Sequence, residues 1–259
     1  MSNVIKSTVV GNLEIIKNFY IPELNRSRTI RIWTPSNYNK AIKYPVIYMH
    51  DGQNLFDDYT SFAGEWGIDE TIEALIKTNK TKGFIVVGID NSEQRMSEYT
   101  PNWGDIKDAQ GELYAKFIVN TLKPYIDRKY NTFKDPNNTI IMGSSMGGLI
   151  SFYIGLMYQE TFGYIGALST SFQINSVDAR NKFINSLNYN NPPFLYLDAG
   201  TLEHSMNYIG DVKNSLINAK YNKDKIYTLI KENHAHNEAS WRERFKDILL
   251  FFIEKMGEH

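Results

Sequence analysis

Residues 143–148 read Gly143-Ser144-Ser145-Met146-Gly147-Gly148, a G-x-S-x-G pattern directly after the apolar run Thr139-Ile140-Ile141-Met142 and before a stretch of helical character. A serine at a sharp strand-to-helix turn needs small flanking residues, because the strained backbone brings neighbouring chain against its Cβ while Oγ is lifted clear. Ser145 is therefore the candidate nucleophile. The helix behind it would turn its amide groups and positive dipole end toward negative charge developing on a substrate. A serine hydroxyl is a weak nucleophile at neutral pH, so a base must lie within hydrogen-bond reach and an acid must hold that base in the right tautomer.

Five histidines are available as the base. His50 precedes the nucleophile, His204 follows it, and His259 closes the sequence, where a frayed end is expected. When nucleophile, acid and base follow in that order along the chain, the base belongs in the loop after the last strand. Both His234 and His236, in the segment 232–238, meet that condition. The acid then belongs in the loop after the strand near residues 194–197, where Asp198, Glu203 and the more distant Asp211 stand. Asp198 ends the strand and is expected to be engaged by backbone or turn groups. Glu203 sits further out, where a carboxylate can reach the next loop, and spacing favours it over Asp198.

The elements that must hold these residues alternate along the chain. Residues 13–20 and 29–34 are rich in β-branched and aromatic side chains and predict an antiparallel hairpin joined by residues 21–27. Compact apolar strands are predicted at 44–49, 84–89, 139–142, 164–168, 193–197 and 225–230, and helices at 68–77, 110–129, 147–158, 208–220 and 239–255. Strand and helix in alternation after an opening hairpin imply an α/β fold: a mostly parallel sheet with helices on both faces and the hairpin at its antiparallel edge. Functional sites in such folds lie beyond the carboxyl ends of the strands. No linker or internal repeat divides the chain, so residues 1–259 are expected to form one domain. The connection between residues 168 and 193 is too short for a large separate lid, which disfavours long-chain lipase action.

Composition removes several function classes. Lys+Arg 28 against Asp+Glu 29 leaves a net charge of −1, so no overall field draws the chain to nucleic acid or anionic membrane. With Cys 0, thiol nucleophiles, thiolate zinc and disulfide frameworks are excluded. The first eleven residues lack the pattern of a signal peptide and no run of 18 apolar residues occurs, so a cytoplasmic location is expected. Neither G-x-G-x-x-G nor G-x-x-x-x-G-K-[ST] is present, and no cofactor is expected. The acidic residues Asp51, Asp57, Asp58, Glu65, Asp69 and Glu70 do not follow a calcium-loop template; solvated loop charges, with Asp69 and Glu70 matching a helix dipole, are the expectation, and no metal is called. Oligomeric state is left open.

Several further segments carry a resemblance. Residues 48–57 (Tyr48-Met49-His50-Asp51-Gly52-Gln53-Asn54-Leu55-Phe56-Asp57), 63–66, 98–101, 143–148, 198–203 and 236–241 together resemble the putative esterase, or esterase D, family of α/β-hydrolases. That family includes feruloyl and acetyl xylan esterases, S-formylglutathione hydrolases, siderophore esterases and mycolyltransferases. The resemblance covers about residues 25–250. It implies a His followed five residues later by Trp, which selects His236 with Trp241 over His234. It also implies an acid at the fourth position of a Gly-Thr-x-acid segment, here Glu203. Family members commonly have Asp there, so Glu203 is a departure that keeps Asp198 in view. The resemblance further implies an oxyanion hole from the backbone amides of Met146 and Gln53. It makes residues 98–103, with Tyr99 and Trp103, a wall of the substrate cleft. The expected activity is that of a cofactor-independent serine esterase acting on a small-molecule ester, short-acyl or feruloyl/acetyl in type. An S-formylglutathione-type thioesterase, a siderophore esterase and a catalytically silent binding protein are the other readings.

Overall fold

The structure is a computed structural model that describes residues 7–257. His259 and the first six residues, which open the segment judged for a leader, lie outside the described residues. The strands β1 (Asn12–Ile21), β2 (Arg26–Thr34), β3 (Val46–His50), β4 (Ile85–Ile89), β5 (Thr139–Ser144), β6 (Tyr164–Leu168), β7 (Phe194–Gly200) and β8 (Ile226–Lys231) join one sheet in the order β1-β2-β4-β3-β5-β6-β7-β8. The β1–β2 and β2–β4 pairings are antiparallel and all others parallel. This is the expected sheet, with the hairpin at one edge. The hairpin strands run closer to the turn than residues 13–20 and 29–34, because Arg26, Ser27 and Arg28 pair with Ile21, Tyr20 and Phe19, with Ser27 exposed and both arginines bonded to Glu98. Polar side chains there do not oppose strand pairing.

Helices α1 (Ile68–Lys77), α2 (Arg95–Glu98), α3 (Gly111–Lys116), α4 (Lys123–Lys129), α5 (Met146–Met157), α6 (Val177–Ser186), α7 (Met206–Asn218) and α8 (Glu238–Met256) surround the sheet. Successive residues of a strand point to opposite faces, and the core divides accordingly. Val46, Tyr48 and Ile141 pack with residues of α5 and α7, whereas Ile47, Met49, Ile140 and Met142 pack with residues of α1 and α8. The helix expected over 110–129 is present, but widens to a π-helix over Phe117–Leu122 between α3 and α4. Pro124 cannot donate to the carbonyl of Asn120 and its ring crowds that carbonyl, which displaces the regular ladder. Helix α6 has no counterpart in the sequence reading; it starts where the Ser176 side chain accepts from the Ala179 amide. It occupies the β6–β7 connection as a single short helix. Among the described residues no helix is long and apolar enough to cross a membrane.

Candidate active site

β5 ends at Ser144 and α5 begins at Met146, so the whole turn between them is Ser145. Its backbone takes φ 57° and ψ −121°, a conformation that L-residues occupy only when their surroundings over-determine it. The Ser145 amide donates to the Leu168 carbonyl at 2.9 Å, which ties the turn to the end of β6. A Cβ on Gly143 would come 2.8 Å from the Gly147 carbonyl carbon, so the strand and helix can approach this closely only with glycine there.

The β8–α8 loop delivers His236. Asn237 caps α8 by accepting from the Ser240 amide, and that cap fixes where the loop ends and hence where the neighbouring imidazole starts. His236 Nε2 lies 2.9 Å from Ser145 Oγ, and His236 Nδ1 lies 2.7 Å from Glu203 Oε2. Trp241 meets the imidazole edge-on, with ring centroids 5.2 Å apart. His234, the other loop histidine, pairs instead with Glu243 at 3.2 Å. His204 is bonded to Tyr208 and Asn207, and His50 is buried against Tyr114, where burial lowers its pKa to about 3.

Glu203 stands in the β7–α7 loop and its side chain is almost wholly covered. Its Oε1 accepts from Ser169 Oγ at 2.7 Å and from the Gly200 amide, and its Oε2 accepts from Ser205 Oγ at 2.7 Å. Burial alone would push this carboxyl up. The bonds from His236, Ser169, Ser205 and Gly200 together outweigh it and hold the pKa at about 2. Asp198 makes its contacts elsewhere: its Oδ1 accepts from the Ser169 amide at 3.3 Å and its Oδ2 lies 3.3 Å from Arg244 Nε. Burial drives Asp198 up to about 7 despite the adjacent guanidinium. Arg244 is itself wholly buried and also reaches Glu203 Oε1 at 3.4 Å.

Met146 is the first residue of α5, so its amide is one of the helix's unsatisfied first-turn donors. Gln53 lies within the 3-10 turn Gly52–Asn54 that follows β3; the first bond of that turn uses the Asn54 amide, which leaves the Gln53 N–H no acceptor inside it. The Gln53 side chain anchors the turn by a reciprocal pair with Asn91, at 2.7 and 3.0 Å. Asn91 in turn donates to Asp51 at 2.6 Å, and Arg95 grips Asp51 with two bonds of 2.7 and 2.8 Å. The start of α5 abuts this turn, since the Cβ position of Gly147 lies 3.3 Å from His50 Cβ. Tyr99 is wholly buried and its hydroxyl accepts from the Asp51 amide at 3.2 Å, so it shapes the turn from behind. Trp103 is partly buried and stacks on Phe183 of α6 at 5.2 Å.

Sequence reasoning did not single out Ser169, Ser171, Ser205 or Arg244. The hydroxyl run Ser169-Thr170-Ser171 belongs to no motif, although Arg244 left a trace as a charge on the apolar stripe Trp241, Phe245, Ile248 of α8. The acidic residues beyond the turn also differ from expectation. Asp69 is wholly buried and Glu65 nearly so, with carboxylate oxygens of Glu65, Asp69 and Glu70 within 4.8 Å of one another. They are covered because the N-terminal segment folds over them: Thr8 Oγ1 donates to Glu65 at 3.1 Å and the Val10 amide to Asp69 at 2.8 Å. Arg242 supplies the nearby positive charge, 3.4 Å from Glu65 and 3.5 Å from Glu70.

Comparison with known proteins adds a family to this geometry. A family model described as "Putative esterase" matches residues 21–252. Among curated relatives, the uncharacterized protein YbbA of Bacillus subtilis is 24% identical over 88% of this chain and 94% of its own length. The ferri-bacillibactin esterase BesA of the same organism is 27% identical over 69% of this chain and 67% of its own length. An endo-1,4-beta-xylanase/feruloyl esterase of Xylanibacter ruminicola is 30% identical over 61% of this chain, which spans only 22% of that longer protein. Among solved structures, a ferulic acid esterase from Anaeromyces mucronatus superposes with TM-score 0.72 at 19% identity, over 98% of this chain and 94% of the other. The enterobactin esterase of Shigella flexneri does so with TM-score 0.75 at 17% identity, over 98% of this chain and 60% of the other.

Proposed function

The chain belongs to the putative esterase family and is a carboxylic ester hydrolase; from that premise we propose that it works through an acyl-enzyme on Ser145, with His236 as base and Glu203 as acid. The observation that carries this reading is the unbroken line of bonds Glu203–His236–Ser145, at 2.7 and 2.9 Å, ending on a strained turn residue.

In the reaction Ser145 Oγ attacks the ester carbonyl carbon while His236 Nε2 takes the hydroxyl proton. The carbonyl oxygen becomes an oxyanion that accepts from the Met146 and Gln53 amides, aided by the positive end of α5. Glu203, ionised, stabilises the imidazolium and keeps its Nδ1 proton in place. The imidazolium then protonates the departing alcohol oxygen, the C–O bond breaks, and the acyl group stays on Ser145. His236 next deprotonates a water that attacks the acyl carbon, and collapse returns the proton to Ser145 Oγ and frees the acid.

The substrate class we infer is an ester of a short or phenolic acid, as in feruloyl, acetyl-carbohydrate or siderophore esters. The similarity to feruloyl and siderophore esterases supports it. The short β6–β7 connection supports it too, because it adds one ten-residue helix rather than a deep lipid-covering cap. The aromatic group Trp103, Phe183 and Tyr153 is a suitable wall for a planar acyl group. A panel of p-nitrophenyl acetate, butyrate and octanoate, methyl ferulate, a catecholate trilactone and S-formylglutathione tests the assignment. Turnover of the short or phenolic oxygen esters in preference to octanoate and the thioester is expected. Preference for S-formylglutathione would make the enzyme a thioesterase, and no turnover of any member by folded protein would favour a binding role.

A further inference from the structure

We propose that Ser169 is a positioning residue for the acid of the site, a fixed hydroxyl donor that holds Glu203 in the orientation His236 requires; the proposal rests on the reading of Glu203 as that acid. A serine hydroxyl ordinarily rotates and can donate or accept, because it carries one proton and two lone pairs. Ser169 has no such freedom. Trp241 Nε1 donates to its Oγ at 2.8 Å and Arg244 Nη2 donates at 2.6 Å, and neither group can accept. Both lone pairs are therefore taken, and the remaining proton has one acceptor, Glu203 Oε1 at 2.7 Å.

The consequence for Glu203 is geometric. Ser169 Oγ and the Gly200 amide occupy Oε1, with Arg244 beside it, and Ser205 Oγ takes one direction on Oε2. Every protein partner is a donor, so the carboxylate plane is fixed and the remaining direction on Oε2 is presented to His236 Nδ1. A glutamate has one more rotatable bond than an aspartate, and this ring of donors removes the freedom that bond adds.

Ser169 is well placed to be immobile. It is wholly buried, its φ is 44°, and its amide donates to the Asp198 carbonyl at 2.9 Å. The same corner also braces the nucleophile: the Ser171 amide donates to the Ser145 carbonyl at 3.1 Å, and the hydroxyls of Ser171 and Ser145 lie 3.1 Å apart. Residues 169–171 thus touch both ends of the line of bonds, Ser169 at Glu203 and Ser171 at Ser145.

Two variants separate positioning from stability. Ser169→Ala removes the hydroxyl and keeps the positive-φ strain; Ser169→Gly removes the hydroxyl and relieves it. Steady-state hydrolysis of p-nitrophenyl acetate, the rate of fluorophosphonate labelling, thermal unfolding and the low-field proton resonance of the His236 Nδ1–H bond are measured on both. Both variants are expected to lose about 10- to 100-fold in kcat with KM nearly unchanged, matching the loss of one hydrogen bond to a charged group. Labelling should slow in parallel and the low-field resonance should move or vanish, although the two variants differ in melting temperature. Wild-type kcat in either folded variant, or a kcat loss that follows melting temperature between the two, overturns the proposal. Glu203→Gln run alongside separates the two levels: if it keeps wild-type kcat the reading of Glu203 as the acid fails, whereas if it is impaired while Ser169→Ala is unimpaired only the positioning role fails.

Discussion

Two carboxylates lie within one short stretch of chain, and their surroundings divide them. Glu203 receives donors alone and is ionised far below neutrality, whereas Asp198 is buried against Arg244 and titrates near 7. Only Glu203 touches the imidazole. Glu203→Gln is therefore expected to lower kcat about 10⁴-fold, the scale seen when the acid of such a triad loses its charge and the base takes the wrong tautomer. Asp198→Asn should leave kcat within about tenfold, and an inverted order of effects would move the acid role to Asp198. Ser145, Glu203 and the two loop histidines came into view in the sequence because they follow β5, β7 and β8 at the carboxyl ends of the strands, and the resemblance chose His236 over His234. Ser169 was not legible, and Arg244 showed only as a charge on the apolar stripe of α8. Their contacts join β6, β7 and α8 across the tertiary structure, and no local spacing encodes such contacts.

At the level of elements, one close approach between the loops after β7 and β8 decides whether the site assembles. Gly200 ends β7 where the His234 carbonyl passes so close that a Cβ would sit 2.0 Å from its oxygen. Gly200→Ala should cost about 1–3 kcal/mol of stability and also reduce kcat, because the backbone it displaces leads directly to His236. Unchanged melting temperature and turnover would show that the loop has slack.

Helix α1 makes a pH-dependent contribution. Asp69 titrates at about 8 in the folded chain, first because it is buried and then because Glu70 is beside it, against 3.8 when free. The folded state therefore binds the extra proton between these values. The stability this group contributes is full below about 3.8 and is lost as pH rises through about 8. Between pH 6 and 9 the wild type should lose more melting temperature than Asp69→Asn, and parallel curves would contradict the assignment. The sequence placed Asp69 correctly in the first turn of a helix. What it did not carry was the cover from residues 8–10, because an irregular segment packing over a helix start leaves no periodic signature. Helix α6 was missed for a related reason: its polar residues outnumber its core contacts, and the Ser176 cap was its clearest local sign.

For the whole molecule, the alternation of apolar strands and amphipathic helices was enough to read the architecture, since each strand buried on both faces announces itself as a short apolar run. All eight strands share one ladder, with a core on each face. We therefore propose that the chain unfolds as one cooperative unit. Calorimetry should give a single transition with equal calorimetric and van't Hoff enthalpies, of about 180 kcal/mol for 259 residues near 60 °C. Two resolved transitions would contradict a single domain. The near-zero net charge is consistent with a neutral small-molecule substrate, and hydrolysis of uncharged esters should change little with ionic strength.

The claim on which the rest depends is that Ser145 carries the acyl group. Wild type and Ser145→Ala, compared by intact mass after a fluorophosphonate probe and by hydrolysis of p-nitrophenyl acetate, test it directly. The account predicts one adduct per wild-type chain, no adduct on Ser145→Ala, and a fall of about 10⁶-fold in kcat. Labelling or turnover retained by Ser145→Ala would contradict it.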